Sequence, residues 1–165
     1  MTQVLSDANI AAAWKHVKAN KGAPGIDNMS IEEFDLFAIE HWQGIKAKLI
    51  EGSYQPLPVK RVCIPKPDGG ERLLGIPAIT DRVIQQAIAQ VITPYFEPIF
   101  SPHSYGYRPG KRACQAVNHV QACIKQGYET AVDIDLSKFF DEVNHDMLMN
   151  RVGRKIKDKA LMPLL

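Results

Sequence analysis

The sequence contains few of the features that mark a membrane-spanning or secreted protein. No run of about 18 apolar residues is present, so no transmembrane helix is expected. The start, MTQVLSDANIAAAWK, lacks a basic segment followed by an apolar block and predicts no secretory signal. Only three cysteines occur, widely spaced and without a Cys-x-x-Cys pair, which argues against a disulfide framework and a cysteine zinc site. We therefore expect a cytoplasmic, reduced protein of 165 residues, about one domain in length.

A strong excess of charge of one sign is also missing, because the formal net charge at pH 7 is only +2. The charges are instead segregated along the chain. Residues 27–40 carry five acidic side chains and no basic one, whereas residues 46–82 carry seven basic and four acidic ones. Residues 129–146 contain six carboxylates and one lysine, and five bases with one aspartate follow at 151–159. Such alternation suits a protein that binds a polyanion with some surfaces and cations with another, although solvated helix faces explain it as well.

Apolar periodicity predicts several helices and one β-hairpin, an α+β fold class. Ser30, with Glu33 three residues later, is the signature of a capping box at the start of a helix. Two short apolar runs, 59–66 and 71–77, flank Pro67-Asp68-Gly69-Gly70 and predict the hairpin. The first predicted elements are a helix near 6–19, a helix from Ser30, the hairpin and a helix at 81–92. A proline- and glycine-rich loop at 93–110, a helix at 112–126, a strand at 130–136 and a helix after Ser137 follow. The helix at 112–126 is expected to bury its apolar stripe of Ala113, Ala116, Val117, Val120 and Ile124.

Two carboxylates occur in the predicted strand at 130–136. Because side chains alternate along a strand, Asp133 and Asp135 share one face. Carboxylates are costly to bury unless a cation or hydrogen-bond donors meet them, and oxygen ligands of this kind suit Mg²⁺. An edge strand with its acidic face in water explains the pattern equally well. Phe140, which follows shortly after, is either a core residue or the floor of a nucleotide pocket.

The predicted hairpin offers cations that complement these carboxylates. Lys66 and Arg72 flank its tip, and an ammonium together with a planar guanidinium suits a triphosphate. The alternative is that both residues only make the hairpin tip soluble. Arg61 on the first strand either follows a nucleic-acid backbone or protects the edge of the sheet.

Four segments together resemble a known family. They are NKGAPGID, VCIPKPDGGERLLGIPAITDRVIQQAI, SPHSYGYRPGKRACQAV and VDIDLSKFFDEVNHD, and they occur in this order between about residues 20 and 148. They resemble the N-terminal part of bacterial group II intron reverse transcriptases, also called maturases. The resemblance implies an RNA-directed DNA polymerase with a right-hand fold of fingers, palm and thumb, which also binds its intron RNA and assists splicing.

The resemblance implies catalytic roles for residues near the predicted strand. Asp135 corresponds to the first palm carboxylate, a ligand of two Mg²⁺ ions, and the carbonyl of Leu136 assists it. Asp133 lies two residues before that position and is not expected to be catalytic. Phe140 lies where the family keeps an aromatic residue that excludes a ribose 2′-hydroxyl. The two ions activate the primer 3′-hydroxyl and neutralise the leaving pyrophosphate.

The resemblance also implies contacts with the incoming nucleotide and with RNA. Lys66 and Arg72 match the fingers residues that hold the triphosphate of the incoming nucleotide. The loop at 22–27 resembles the N-terminal extension that approaches the template strand. The residues expected to lie along the template or RNA, or to shape the fingers, are Arg61, Arg82, Tyr105, Arg108 and Lys111.

The carboxylates that complete the family's metal site are missing from this sequence. The family provides them in a later Tyr-x-Asp-Asp motif, but no Asp-Asp pair occurs in these 165 residues. The apolar end, Leu161-Met162-Pro163-Leu164-Leu165, has no stop signal. We therefore expect a truncated chain: an N-terminal extension at 1–52, fingers at 53–128 and the first strand and helix of the palm at 129–165. Alone, this chain is expected to be inactive as a polymerase.

The expected partners are intron RNA, an RNA template, a DNA primer and a deoxynucleoside triphosphate, without a membrane. The oligomeric state stays open, a dimer being one of the options. Two alternatives remain. One is a non-catalytic RNA-binding or splicing module, and the other is a bacterial reverse transcriptase outside introns, of the retron or defence type.

Overall fold

The computed structural model describes residues 1–67, 69–136 and 139–165. They form two compact units, one of Met1–Thr93 with Ile156–Leu165 and one of Pro94–Lys155. The helices are α1 (Asp7–Ala19), α2 (Ile31–Glu51), α3 (Ile79–Phe96), α4 (Ala113–Lys125), α5 (Phe139–Glu142) and α6 (His145–Lys155), with 3₁₀ turns at Glu97–Ile99 and Met162–Leu164. The strands are β1 (Lys60–Pro65) and β2 (Glu71–Ile76). Helices with one small antiparallel hairpin confirm the α+β class at this level, and the predicted boundaries of extension, fingers and palm stay predictions.

Helices α1 and α2 begin where the sequence predicts. The Ser6 hydroxyl caps α1 by accepting a hydrogen bond from the Asn9 amide, and the capping box of Ser30 and Glu33 is formed at the start of α2. Gly52 ends α2 in the left-handed conformation, which a residue without Cβ adopts at little cost. These signals are local in sequence, so they determine the helix ends before any packing is considered.

The hydrophobic core lies in the first unit. Among the described residues, every buried apolar side chain belongs to that unit, and the largest fully buried ones are Phe34, Leu49, Ile79, Val4 and Val83. Asp81 is buried in the first turn of α3, where its carboxylate accepts hydrogen bonds from the Tyr54 hydroxyl (2.7 Å) and the Leu57 amide (3.1 Å). Burial, and then the bond with Asp81, raises the pKa of Tyr54. The pair ties the segment before the hairpin to the core.

The hairpin forms as predicted, with β1 and β2 antiparallel. Its register pairs Lys60 with Ile76, Val62 with Leu74 and Ile64 with Arg72. The predicted turn residue Asp68 lies outside the described residues. Most of the hairpin is exposed, including Ile64 and Leu73. The ribbon therefore projects its far end into solvent while residues near Ile76 approach the core.

The loop predicted to begin at residue 93 begins later. Helix α3 continues through Pro94 to Phe96, so that part of the prediction is wrong. Pro94 lies in the last turn, where the missing amide removes a single intrahelical hydrogen bond. The Thr93 hydroxyl donates to the Ala89 carbonyl at 2.6 Å, which supports the same turn. A residue that usually stops a helix is tolerated here because few backbone bonds follow it.

Helix α4 matches the predicted range, but its predicted burial is wrong. Gly127, with φ of 95°, follows its last turn as expected. Val117, Val120 and Ile124 are 55%, 57% and 62% exposed. The apolar stripe is present, but none of the described residues of this unit covers it. Periodicity shows which residues share a helix face, and only a packed neighbour buries that face.

The strand predicted at 130–136 is not formed. In the described part of the chain the only paired strands are β1 and β2, and no backbone hydrogen bond joins 130–136 to another segment. Val132 and Ile134 are 79% and 82% exposed. The reason is that a strand needs a neighbouring strand, and the described residues supply none. The predicted helix start at Ser137 lies outside the described residues, and α5 begins at Phe139. None of the described helices is both long enough and apolar enough to cross a bilayer.

Candidate nucleic-acid interface

Lys66 and Arg72 lie around one cleft at the far end of the hairpin. Arg72 pairs with Ile64, so alternation along the ribbon places it on the same face as Lys66. The turn is closed by hydrogen bonds from the Lys66 amide to the Gly70 carbonyl (2.7 Å) and from the Gly69 amide to the Lys66 carbonyl (3.1 Å). The cleft has a volume of about 500 Å³ and is lined by Ile64, Pro65, Lys66, Pro67 and Arg72. Among the described residues, its lining carries two cations and no carboxylate, a combination that attracts phosphate groups.

Arg61 lies on the opposite face of the same hairpin. It pairs with Gly75, which lies an odd number of positions from Arg72 along β2, so the two arginines point to opposite faces. Arg61 is exposed. Its guanidinium makes no hydrogen bond or ion pair with any described residue, whereas the neighbouring Lys60 ammonium donates to the Asn28 side chain at 3.1 Å. Arg61 therefore presents a positive charge to solvent on a surface separate from the cleft.

Arg82 holds the loop at 20–27 against α3. Its guanidinium donates to the Ala23 carbonyl at 2.7 Å. Gly25 is required for this close approach, because a Cβ there would lie 2.6 Å from the Ala78 backbone, whereas a Cβ at Gly22 would displace the guanidinium. Partial burial lowers the pKa of Arg82, and the nearby Asp27 opposes the shift. The predicted template contact of Arg82 stays a prediction, and the contact that the structure shows is with the protein's own loop.

Arg108 organises the proline-rich loop of the second unit. Its guanidinium forms an ion pair with Glu97 (2.7 Å) and donates to the carbonyls of Ser101 (2.8 Å) and Ser104 (3.3 Å). It also stacks over the Phe100 ring, 5.0 Å from the ring centre. Because the Arg108 side chain is only 10% exposed, its planar guanidinium directs its donors to groups within the protein rather than to solvent. Sequence reasoning missed Glu97, because no local pattern links it to an arginine eleven residues away.

Tyr105 and Lys111 extend this arrangement. The Lys111 ammonium donates to the Pro102 carbonyl at 3.0 Å and lies over the Tyr105 ring, 5.1 Å from its centre. Both residues thus hold the loop at 101–111 in shape. These contacts do not test the predicted binding of Tyr105 and Lys111 to RNA, which stays a prediction.

Replacing Arg108 by lysine is expected to destabilise the second unit by about 2 kcal/mol, because a single ammonium nitrogen cannot reach all the acceptors that the guanidinium reaches from its three separate nitrogens. The measurement is native-state hydrogen exchange of amides 97–111, where protection should fall in the variant. Arg151→Lys is the matched control: the Arg151 side chain is exposed and makes no hydrogen bond to a described residue, so replacing it should change little. Equal protection in both variants would contradict the structural role of Arg108.

Asp135, Leu136 and Phe140 are exposed parts of the second unit. Leu136 is 63% exposed and Phe140 84%, with the Phe140 ring edge-on to Phe139 at 5.6 Å. Asp135 makes no hydrogen bond or ion pair with a described residue. Over the described ranges no group of three or more His, Cys, Asp or Glu side chains is arranged to hold a metal ion. The oxygen donors of Asp135 and Leu136 are of the type that Mg²⁺ prefers, but they are too few to form a site by themselves.

The family model described as reverse transcriptase (RNA-dependent DNA polymerase) matches residues 64–160. Protein YkfC of Escherichia coli (strain K12) is 37% identical over 162 residues, and group II intron-encoded protein LtrA of Lactococcus lactis subsp. cremoris is 32% identical over 154. The alignments cover 94% and 93% of this chain, but 42% of YkfC and 25% of LtrA.

Nuclear intron maturase 1, mitochondrial, of Arabidopsis thaliana is 29% identical over 89 residues, which cover 54% of this chain and 12% of that protein. These matches confirm the resemblance that the four motifs indicated. The chain spans less than half the length of the curated relatives it matches.

Proposed function

Because this chain belongs to the reverse transcriptase (RNA-dependent DNA polymerase) family, we propose that it supplies the fingers and the first palm carboxylate of a group II intron polymerase. That polymerase extends a DNA primer on an RNA template, and it binds intron RNA to assist splicing. The observation that carries the proposal is the cleft at the end of the hairpin, which brings Lys66 and Arg72 together within the matched region. The extension at 1–52, the fingers at 53–128 and the start of the palm at 129–165 are the proposed divisions.

Lys66 and Arg72 are proposed to bind the triphosphate of the incoming nucleotide. A triphosphate carries several negative charges, and the described lining of the cleft offers it an ammonium and a guanidinium. Arginine provides two parallel donors for phosphate oxygens, whereas lysine acts as a point charge. Both residues are exposed and neither forms an ion pair with a described residue, so binding of a nucleotide would break no such pair.

Asp135 is proposed to be one ligand of the divalent ions that reverse transcriptase domains generally use. Mg²⁺ is usually held by one or two carboxylates together with substrate phosphates, and the Leu136 carbonyl is a further oxygen donor. When bound, such ions neutralise charge on the phosphates. This chain is proposed to contribute one carboxylate, and the other ligands are proposed to come from the rest of a longer polymerase. The relatives YkfC and LtrA extend well beyond the segment that aligns with this chain. Phe140 is proposed to lie against the sugar of the nucleotide.

Contacts with RNA are proposed to divide between direct and indirect ones. Arg61 has no internal partner among the described residues and is proposed to bind a phosphate directly. Arg82, Arg108 and Lys111 are engaged within the protein, so their proposed effect on RNA is through the loops that they hold. Direct phosphate contacts weaken steeply with salt, and indirect ones leave the salt dependence unchanged.

The second candidate is a splicing module that binds RNA without polymerising. It is favoured by the absence, among the described residues, of a group of three or more metal-ligating side chains that includes Asp135. Polymerisation depends on the residues proposed to contact the nucleotide, whereas RNA binding by a splicing module does not.

A bacterial polymerase of the retron or defence type is the remaining alternative. It would use the same residues to add nucleotides but would act on an RNA other than an intron.

Phe140→Ala in the complete polymerase is expected to raise incorporation of ribonucleotides relative to deoxyribonucleotides by about 10- to 100-fold, because the side chain that fills the space of the 2′-hydroxyl is removed. The measurement is single-nucleotide incorporation with matched ribo- and deoxyribonucleotides. Phe139→Ala, which removes the neighbouring ring, is the control and should leave the ratio unchanged. If neither variant extends a primer while both bind intron RNA as the unsubstituted protein does, the splicing module is the better account.

A further inference from the structure

A hollow of about 300 Å³ lies in the first unit, between the C-terminal part of α1 and α3. It is lined by Val17, Asn20, Arg82, Gln85, Gln86 and Ala89. We call it the amide pocket, because three of these residues carry carboxamide side chains. The pocket is distinct from the hairpin cleft, with which it shares no residue. Its size lies at the lower end of the range for small-ligand pockets.

The polar groups of the amide pocket have unused hydrogen-bonding capacity. The carboxamides of Asn20 and Gln85 make no hydrogen bond to the residues that the structure describes. Gln86 donates to Gln90 at 3.2 Å, which leaves its own carbonyl oxygen as an acceptor. The Nε of Arg82 is buried without an acceptor, while another nitrogen of the same guanidinium holds Ala23. The side chains of Asn20 and Gln85 are exposed and available to a ligand, whereas the buried Nε of Arg82 is left without the partner that buried polar groups usually have.

The chemistry of the lining selects one class of ligand. Val17 and Ala89 contribute apolar surface, and the carboxamides contribute both donors and acceptors. Among the described residues the lining has no carboxylate and one cation, which is already bonded to a carbonyl, so a polyphosphate is a poor fit. A flat heteroaromatic ring matches this lining, because its faces can contact the apolar side chains and the donors and acceptors on its edge can bond the carboxamides. Carboxamides and guanidinium groups are the side chains that read the edges of nucleobases.

We propose that the amide pocket binds one unstacked nucleobase of a single-stranded RNA. The inference rests on the proposed function, which supplies the RNA, and it adds a site that reads a base rather than a phosphate. Asn20, at the start of the loop that Arg82 holds, and Arg82 itself both line the site. A free nucleotide carries the same base, so the experiment must separate the two sources.

The test uses the whole chain and fluorescence anisotropy with short unstructured RNA oligonucleotides, some with intact bases and some abasic. Asn20→Ala combined with Gln85→Ala is expected to weaken binding of the intact RNA about tenfold. Binding of the abasic RNA and the slope of affinity against salt should not change, because no phosphate contact is lost. Gln121→Ala, an exposed carboxamide on α4, is the matched control and should behave as the unsubstituted chain. Circular dichroism establishes that the variants are folded.

Each outcome decides between the possibilities. Equal affinity of the double variant and the control for intact RNA overturns the pocket and leaves the polymerase proposal standing. Displacement of the RNA by a nucleoside monophosphate at micromolar concentration overturns RNA as the natural occupant. Failure of the unsubstituted chain to bind any RNA overturns both the pocket and the RNA-binding part of the proposed function.

Discussion

Replacement of Asp135 by asparagine in the complete polymerase is expected to lower the rate of primer extension about a thousandfold. The reason is electrostatic: asparagine keeps the shape of the side chain but removes the negative charge that holds a divalent ion. A metal ion contributes several kcal/mol of transition-state stabilisation, and each 1.36 kcal/mol corresponds to a factor of ten in rate. The measurement is single-turnover incorporation on an RNA template at saturating nucleotide.

Asp133→Asn provides the matched control for this result. Both aspartates belong to the same exposed segment, and the resemblance assigns the metal to Asp135 alone. Asp133→Asn should therefore keep an activity within a few-fold of the unsubstituted enzyme. Loss of activity in the Asp133 variant with retention in the Asp135 variant would show that the palm motif is aligned two residues away from its true position.

Arg72→Gln and Lys66→Gln are each expected to lower kcat/KM for the incoming nucleotide about a hundredfold. Each change removes a charge-assisted contact to a phosphate, and such contacts contribute about 1.5–3 kcal/mol. We expect the larger loss for Arg72, because glutamine replaces a bidentate fork. The measurement is incorporation as a function of nucleotide concentration, with primer and template held constant.

Arg61→Gln on the opposite face of the hairpin is the control for the nucleotide cleft. It should leave the nucleotide KM unchanged, weaken RNA binding and reduce the slope of log affinity against log salt by about one. Together the three variants separate nucleotide binding from RNA binding on one ribbon. An equal rise of the nucleotide KM in all three would mean that the hairpin responds only to its total charge.

The parts of the fold that sequence predicted are those determined locally. The capping box of Ser30 and Glu33 needs only residues three apart, and the hairpin needs two strands joined by a short turn. Burial of the α4 stripe and pairing of 130–136 depend on neighbours that are distant in sequence or absent from the described residues. Local pattern therefore predicted the capped helices and the hairpin, and it failed where an element needs a distant neighbour, as at 130–136.

In the candidate site, too, the sequence predicted local features but not contacts between residues that are distant in the chain. The sequence indicated that Lys66 and Arg72 flank a turn, and the register places them on one face of one cleft. It did not indicate that Arg108 is engaged by Glu97, or that Arg82 binds the Ala23 carbonyl across 59 positions of chain. A basic residue in a sequence motif is equally compatible with RNA and with the protein's own backbone, and only three-dimensional contacts distinguish the two.

The central claim is that this chain is part of an RNA-templated DNA polymerase, and one assay addresses it most directly. The complete polymerase is incubated with a DNA primer on an RNA template, Mg²⁺ and a single deoxynucleoside triphosphate, and the extended primer is resolved by electrophoresis. We predict addition of the complementary nucleotide only, and no addition after the divalent ion is removed with a chelator. Tight binding of the RNA with no nucleotide added under any of these conditions would contradict the claim.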